Sequence, residues 1–142
     1  MSTSRGELRL VAYADGASRG NPGPAAFGAV LYDTSGAEVQ AVQERIGRAT
    51  NNVAEYRGAI AALEAALALG ATGIDLRMDS ELVVRQLLGQ YRVRAPGLQP
   101  LFRRAEALLD RFARTSVTHV RREENRRADA LANAALDGAD AR

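Results

Sequence analysis

The chain has no cysteine and no lysine. Without cysteine, disulfides and thiolate metal sites are excluded, and a reducing compartment suits the composition. Long apolar runs are missing as well. The most apolar stretch, Ala59–Ala71, is interrupted by Glu64 and is too short to cross a bilayer. The N-terminal MSTSRGELRL lacks the apolar segment of a signal peptide, so a soluble, cytoplasmic protein is expected. Internal repeats, linkers and low-complexity tracts are absent. The net charge is only +2, yet all 19 basic residues are arginine. Arg103, Arg104, Arg111, Arg114, Arg121, Arg122, Arg126 and Arg127 crowd one segment. Arginine forks match phosphate geometry, although a GC-rich coding sequence would also favour arginine over lysine, and charge runs are usually solvated faces.

The 142 residues predict one domain over 1–142, with 1–6 and 138–142 as frayed ends. A domain of this length buries roughly 68–70% of its unfolded surface and needs no covalent staple. Alternation marks Leu8–Ala14 as a strand, with Phe27–Asp33 and Glu38–Ile46 following as an antiparallel meander around the turn Thr34-Ser-Gly-Ala. Val53–Leu69, rich in alanine with Ile60, Leu63 and Leu67, reads as a buried helix stopped by Gly70. Ile74–Met78 is a short strand. Ser80 can cap a helix over Glu81–Leu88, and Gly89–Gly97 is a loop. Leu98–Ala113 carries the stripe Leu101, Ala105, Leu108 and Phe112 of an amphipathic helix. Ser116–Arg121 is the last strand, and Asn125 caps a final helix to about Leu136. Strands followed by strand–helix alternation indicate an α/β fold with a mixed sheet.

Four acidic residues occupy positions where a carboxylate is held rigidly: Asp15 at the end of LRLVAYADG, Glu55 opening the long helix, Asp79 after the short strand, and Asp129 in the first turn of the last helix. Convergence of the four would make a site of high negative charge that hard, oxygen-preferring cations neutralise. Each also has a plainer reading. Asp15-Gly16 is a turn signal. Glu55 lies three residues after Asn52 and fits a capping box. Asp79 and Asp129 suit helix N-termini through the dipole.

Together, DGASRGNPGP at Asp15–Pro24, TNNVAE at Thr50–Glu55, MDSELV at Met78–Val83 and RRADALAN at Arg126–Asn133 resemble the four signature segments of type 1 ribonuclease H, in that family's order and over nearly the whole chain. The resemblance implies an α/β, ribonuclease H-like fold: a five-stranded mixed sheet, antiparallel through its first three strands and flanked by helices. It implies hydrolysis of the RNA strand of RNA–DNA hybrids, with 5′-phosphate and 3′-hydroxyl products. Asp15, Glu55, Asp79 and Asp129 become catalytic metal ligands for Mg²⁺ or Mn²⁺, two ions per site with substrate. Gly16, Ser18, Asn21, Thr50, Asn51, Asn52 and Ser80 become nucleic-acid contacts, with Thr50 on a DNA-strand phosphate. Asn51 and Asn52 suit that role because an amide can bond both a 2′-hydroxyl and a base edge. No membrane and no obligate protein partner are implied, and a monomer is expected.

The chain departs from the family's pattern in three places. Glu81 stands where glutamine commonly follows the Asp-Ser pair. Gln90–Pro100 holds only Arg92 and Arg94, too little for a basic helical protrusion. His119, the one histidine, reads as strand within Val117-Thr-His119-Val-Arg, which leaves the short loop before the last helix without the family's mobile histidine. The rival reading is a non-catalytic hybrid- or RNA-binding module of the same fold, which retention of all four carboxylates disfavours.

Overall fold

A computed structural model describes the backbone of residues 7–140 and side chains through Gly138. Five strands, β1 (Arg9–Ser18), β2 (Gly23–Tyr32), β3 (Glu38–Ala49), β4 (Gly73–Met78) and β5 (Arg114–His119), form one sheet in the order β3-β2-β1-β4-β5. β1, β2 and β3 pair antiparallel, whereas β4 runs parallel to β1 and β5 parallel to β4. The expected five-stranded mixed sheet therefore forms. Its helices are α1 (Asn51–Ala68), α2 (Glu81–Leu87), α3 (Gln99–Leu109) and α4 (Arg126–Asp140), with a 3-10 turn at Arg122–Glu124.

β1 sends Leu10, Ala12 and Ala14 into the main core, where they meet Ala59, Leu63 and Ala66 of α1. Tyr56 is fully buried, and its hydroxyl donates to Gln86 Oε1 at 2.6 Å, tying α1 to α2. The opposite face of the sheet is covered over β1, β2 and β3 by α4. β3 is an edge strand with mostly exposed side chains, and Glu44, Arg45 and Arg48 suit it to that position by discouraging further strand pairing.

Several boundaries differ from the sequence reading. β1 does not stop at Asp15: hydrogen bonding to β2 carries it to Ser18, and Asp15 pairs with Gly28. β2 begins at Gly23, and β3 pairs with it out to Ala49. The loop between β1 and β2 is thus only Arg19–Pro22. β5 starts two residues earlier than expected, because Gly73–Met78 of β4 pairs with Arg114–His119 in parallel register. α4 continues past Leu136 through Gly138 to Asp140. The ends expected to fray at 1–6 and 141–142 lie outside the described residues.

Candidate active site

The topology itself brings two of the acidic residues together. In the parallel pairing of β1 with β4, Tyr13 lies beside Arg77. Two residues further along are Asp15, still within β1, and Asp79, just past the end of β4, side by side where the parallel pairing of the two strands stops, a place where open α/β sheets hold ligands.

Glycines let the other two approach. A Cβ on Gly16 would stand 2.3 Å from the carbonyl carbon of Ala54 and the nitrogen of Glu55. A Cβ on Gly58 would stand 2.8 Å from the carbonyl oxygen of Asp15. The first turns of α1 therefore rest directly on β1 at Asp15, which brings in Glu55. On the other face, a Cβ on Gly28, the cross-strand partner of Asp15, would meet Ala128 O at 2.5 Å and Ala132 N at 2.7 Å. That contact seats α4 with Asp129 near Asp15. The cleft so formed, of about 670 Å³, is lined by all four carboxylates together with Gly16, Ser18, Asn21, Asn51, Arg122 and Asn133.

Asp15 and Glu55 are buried, whereas Asp79 and Asp129 are half-buried. Burial pushes Asp15 up to about 8, with the charge of Asp79 and a hydrogen bond and charge from Asp129 adding to the rise; the Gly16 N–H, 2.9 Å from Asp15 Oδ1, opposes it. Burial likewise pushes Glu55 up to about 7; a hydrogen bond from Ser80 lowers it and the charge of Asp79 raises it. The donor set is all oxygen, and its repulsion is what a divalent cation relieves. Among the described residues no three such side chains form a ready-made metal cluster. Mg²⁺-type ions commonly take only one or two carboxylates and fill their remaining sites with water and substrate phosphate. The residues present fit that mode of binding.

These shifts carry a pH prediction for the metal-free protein. Both folded-state values lie above the unfolded carboxylate range. The folded chain thus holds protons that the unfolded chain has released, and this contribution is complete below about pH 4 and lost as pH rises through about 7 and 8. In chelator, unfolding stability should fall by roughly 2–4 kcal/mol from about pH 6 to about pH 9, at about 1.4 kcal/mol per unit. Divalent ions should flatten that slope. Urea unfolding at the two pH values checks it, and a pH-independent stability in chelator would contradict it.

The remaining expected contacts are placed as follows. Thr50, not Asn52, is the N-cap of α1: its hydroxyl accepts from Val53 N at 3.2 Å. Glu55 accordingly sits in the second turn, and its capping-box reading is wrong. Asn21 Oδ1 accepts from Asn51 N at 3.0 Å, joining the β1–β2 loop to α1. The Ser18 hydroxyl donates toward the backbone carbonyls of Gly20 and Ala49, and the Gly16 N–H is taken by Asp15. Ser80 caps α2 through Val83 N at 3.3 Å. Thr50, Asn52 and Ser80 are outside the lining of the cleft. Glu81 pairs with Arg85 at 2.7 Å on the surface of α2. His119 is the exposed last residue of β5, and no helix occupies the stretch between α2 and α3.

From the sequence Arg122 is one of the nearest side chains able to stand in for a loop histidine but has no assigned role, and Asn133 is not singled out. Asn133 Nδ2 donates to the backbone oxygen of Asp129 at 2.9 Å and to its Oδ1 at 3.3 Å. The i,i+4 spacing was a legible signal for that contact.

A family model described as Reverse transcriptase-like matches residues 13–135. A ribonuclease HI of Halobacterium salinarum is 55% identical over 131 residues, 92% of this chain and 66% of that protein. The crystal structure of the RNase H1 from that archaeon has a TM-score of 0.90 and covers 92% of this chain and 98% of its own. A bifunctional protein of Mycobacterium tuberculosis is 50% identical over 133 residues, 93% of this chain. The chain spans only 36% of the length of that protein and of its mycobacterial counterparts. An RNase H1 solved in complex with an RNA/DNA hybrid is 41% identical with a TM-score of 0.87, covering 92% of this chain and 98% of that one.

Proposed function

This chain belongs to the type 1 ribonuclease H family, and we propose that it is a divalent-metal-dependent endonuclease that hydrolyses the RNA strand of RNA–DNA hybrids, leaving 5′-phosphate and 3′-hydroxyl ends. The observation that carries this reading is the convergence of Asp15, Glu55, Asp79 and Asp129 on one open cleft. A relative of known structure holds such a hybrid.

In this reading the four carboxylates hold Mg²⁺ or Mn²⁺, two ions per site once substrate is in place. When bound, such a pair supplies an ionised attacking water and neutralises charge on the departing 3′ oxygen. The chain's own residues set the geometry. Asp15 within β1 and Asp79 just after β4 face the phosphate from the sheet, while Glu55 and Asp129 close on it from the two helices. Asn21 and Asn51, already joined at 3.0 Å, read successive 2′-hydroxyls in the minor groove of the hybrid, with Gly16 and Ser18 lining the same cleft, Asn52 and Ser80 making contacts beyond its lining and Thr50 meeting the DNA strand. Arg122 is the one cation among the described residues lining the cleft, and its fork suits a phosphate oxygen. We place the work of the domain in the cytoplasm, as a monomer without an obligate protein partner. Among the described residues no helix is long and apolar enough to cross a membrane.

A binding-only module would gain affinity by losing four negative charges, since backbone phosphates dominate binding. Titration of Mg²⁺ and Mn²⁺ in a hybrid-cleavage assay separates the two readings: cleavage should rise from zero with added ion and disappear with chelator. Tight hybrid binding without cleavage at any ion concentration would favour the binding module.

His119→Ala should lower the turnover number by less than about tenfold, against the ~10²–10⁴-fold typical of a general acid–base residue. The motive is its exposed place at the end of β5. Turnover measured across pH checks this. A hundredfold loss with the fold intact would show that His119 takes part in proton transfer.

A further inference from the structure

Asn125 precedes α4 at the position of its cap, but its side chain faces inward. It is 1% exposed. Its Nδ2 donates at 3.0 Å to Asp79 Oδ1 and at 3.0 Å to the backbone oxygen of Ala14, the residue before Asp15. Its Oδ1 is buried with no hydrogen-bond partner. Turning the amide over would set that oxygen against two acceptors, so the orientation is fixed by the carboxylate and the carbonyl. An unsatisfied buried acceptor is destabilising. The fold tolerates one here in order to keep a donor between the two strands that carry Asp15 and Asp79. Asp79 lines the cleft and Asn125 does not, so the amide reaches Asp79 from behind and is clear of the substrate path.

We propose that Asn125 is a positioning residue: through one amide group it locks the Asp79 carboxylate to β1 beside Asp15, in the orientation that receives a divalent ion. The inference rests on the metal-dependent reading of the cleft. The same residue leads into α4, where Asp129 N donates back to Asn125 O at 3.1 Å, so it also ties the Asp129 helix to the two strands. Asn125 thus links three of the four acidic elements. Partners that orient a metal ligand typically account for ~10–100-fold in metal affinity or activity.

The test compares the full chain with Asn125→Ala and Asn125→Ser, well below their melting midpoints. The first readout is free of catalysis: the Mg²⁺ concentration giving half of the metal-induced rise in melting midpoint, without nucleic acid. It should increase about tenfold or more in Asn125→Ala, with partial recovery in Asn125→Ser, which keeps a hydroxyl donor. The second readout is hybrid cleavage. The half-saturating Mg²⁺ should shift in parallel and the turnover number fall about 10–100-fold, while KM for hybrid at saturating Mg²⁺ stays within about twofold because Asn125 is outside the lining. Should Asn125→Ala not fold, the Asn125→Ser shift alone decides, and a wild-type Mg²⁺ response in the folded variant overturns the proposal. A stability loss with unchanged Mg²⁺ dependence would make Asn125 merely structural and would also overturn it. Wild-type chain that neither cleaves hybrid nor gains stability from Mg²⁺ would instead remove the metal-dependent reading, and this inference with it.

Discussion

Asp79→Asn is expected to abolish hybrid cleavage and yet leave the metal-free protein as stable as the original, or more so. Asp79 sits beside Asp15 at the parting of β1 and β4, and its charge raises the proton affinity of both Asp15 and Glu55. Without metal that charge opposes folding. Asparagine keeps the shape and retains an oxygen that can accept the 3.0 Å bond from Asn125. It removes one negative charge from the proposed set of metal ligands in the cleft. Activity should fall by at least ~10²–10³-fold, the range for losing one preorganised electrostatic contact. The stability gain should be on the order of 1 kcal/mol, roughly 3–5 °C in melting midpoint. Melting in chelator, beside a cleavage assay, checks both halves. A marked drop in the midpoint would mean that the 79 position works mainly as a structural anchor.

Gly16→Ala should damage the fold and the site together. The added methyl would lie 2.3 Å from Ala54 C and Glu55 N and 2.6 Å from Ala54 O, all main-chain atoms of α1. No rotamer can relieve that overlap, so the helix must lift from β1. Overpacking of this kind costs about 1–3 kcal/mol, sometimes more. Glu55 would move away from Asp15, and a misplacement near 1 Å can cost ~10²-fold in rate. Gly138→Ala provides the contrast. It lies in α4 with nothing within 4 Å of the new Cβ, and it should stabilise the helix by ~0.5–1 kcal/mol without changing cleavage. Urea midpoints and turnover numbers for the pair check both effects. Equal effects would contradict the close approach of α1 to β1.

The local patterns in the chain were enough to read the strand–helix order, the Ser80 cap and the strand placement of His119. The four acidic positions were legible too, because each sits at a strand end or helix start or within a quoted segment. What was not legible depends on contacts between elements. Asp15 reads as a strand terminus because Gly16 follows it, but pairing with Gly28 carries β1 onward. Glu55 reads as a capping residue because Asn52 can cap, until Thr50 takes the cap two residues earlier. Gly28 and Gly58 look like ordinary strand and helix glycines. Their role is to admit the backbone of α4 and the Asp15 carbonyl at distances a side chain forbids, and no local pattern records that. Asn125 is a good cap by residue type, and only packing reveals that its amide is turned to Asp79.

Metal-dependent cleavage of hybrid RNA is tested most directly by a substrate panel for the wild-type chain, comparing end-labelled RNA–DNA hybrid, duplex RNA and duplex DNA with Mg²⁺ and with Mn²⁺. If the metal-dependent ribonuclease reading holds, ion-dependent cutting falls within the RNA strand of the hybrid, with 5′-phosphate and 3′-hydroxyl ends and an intact DNA strand. Cutting of duplex DNA in preference to the hybrid, or hybrid cleavage that persists in chelator, would contradict it.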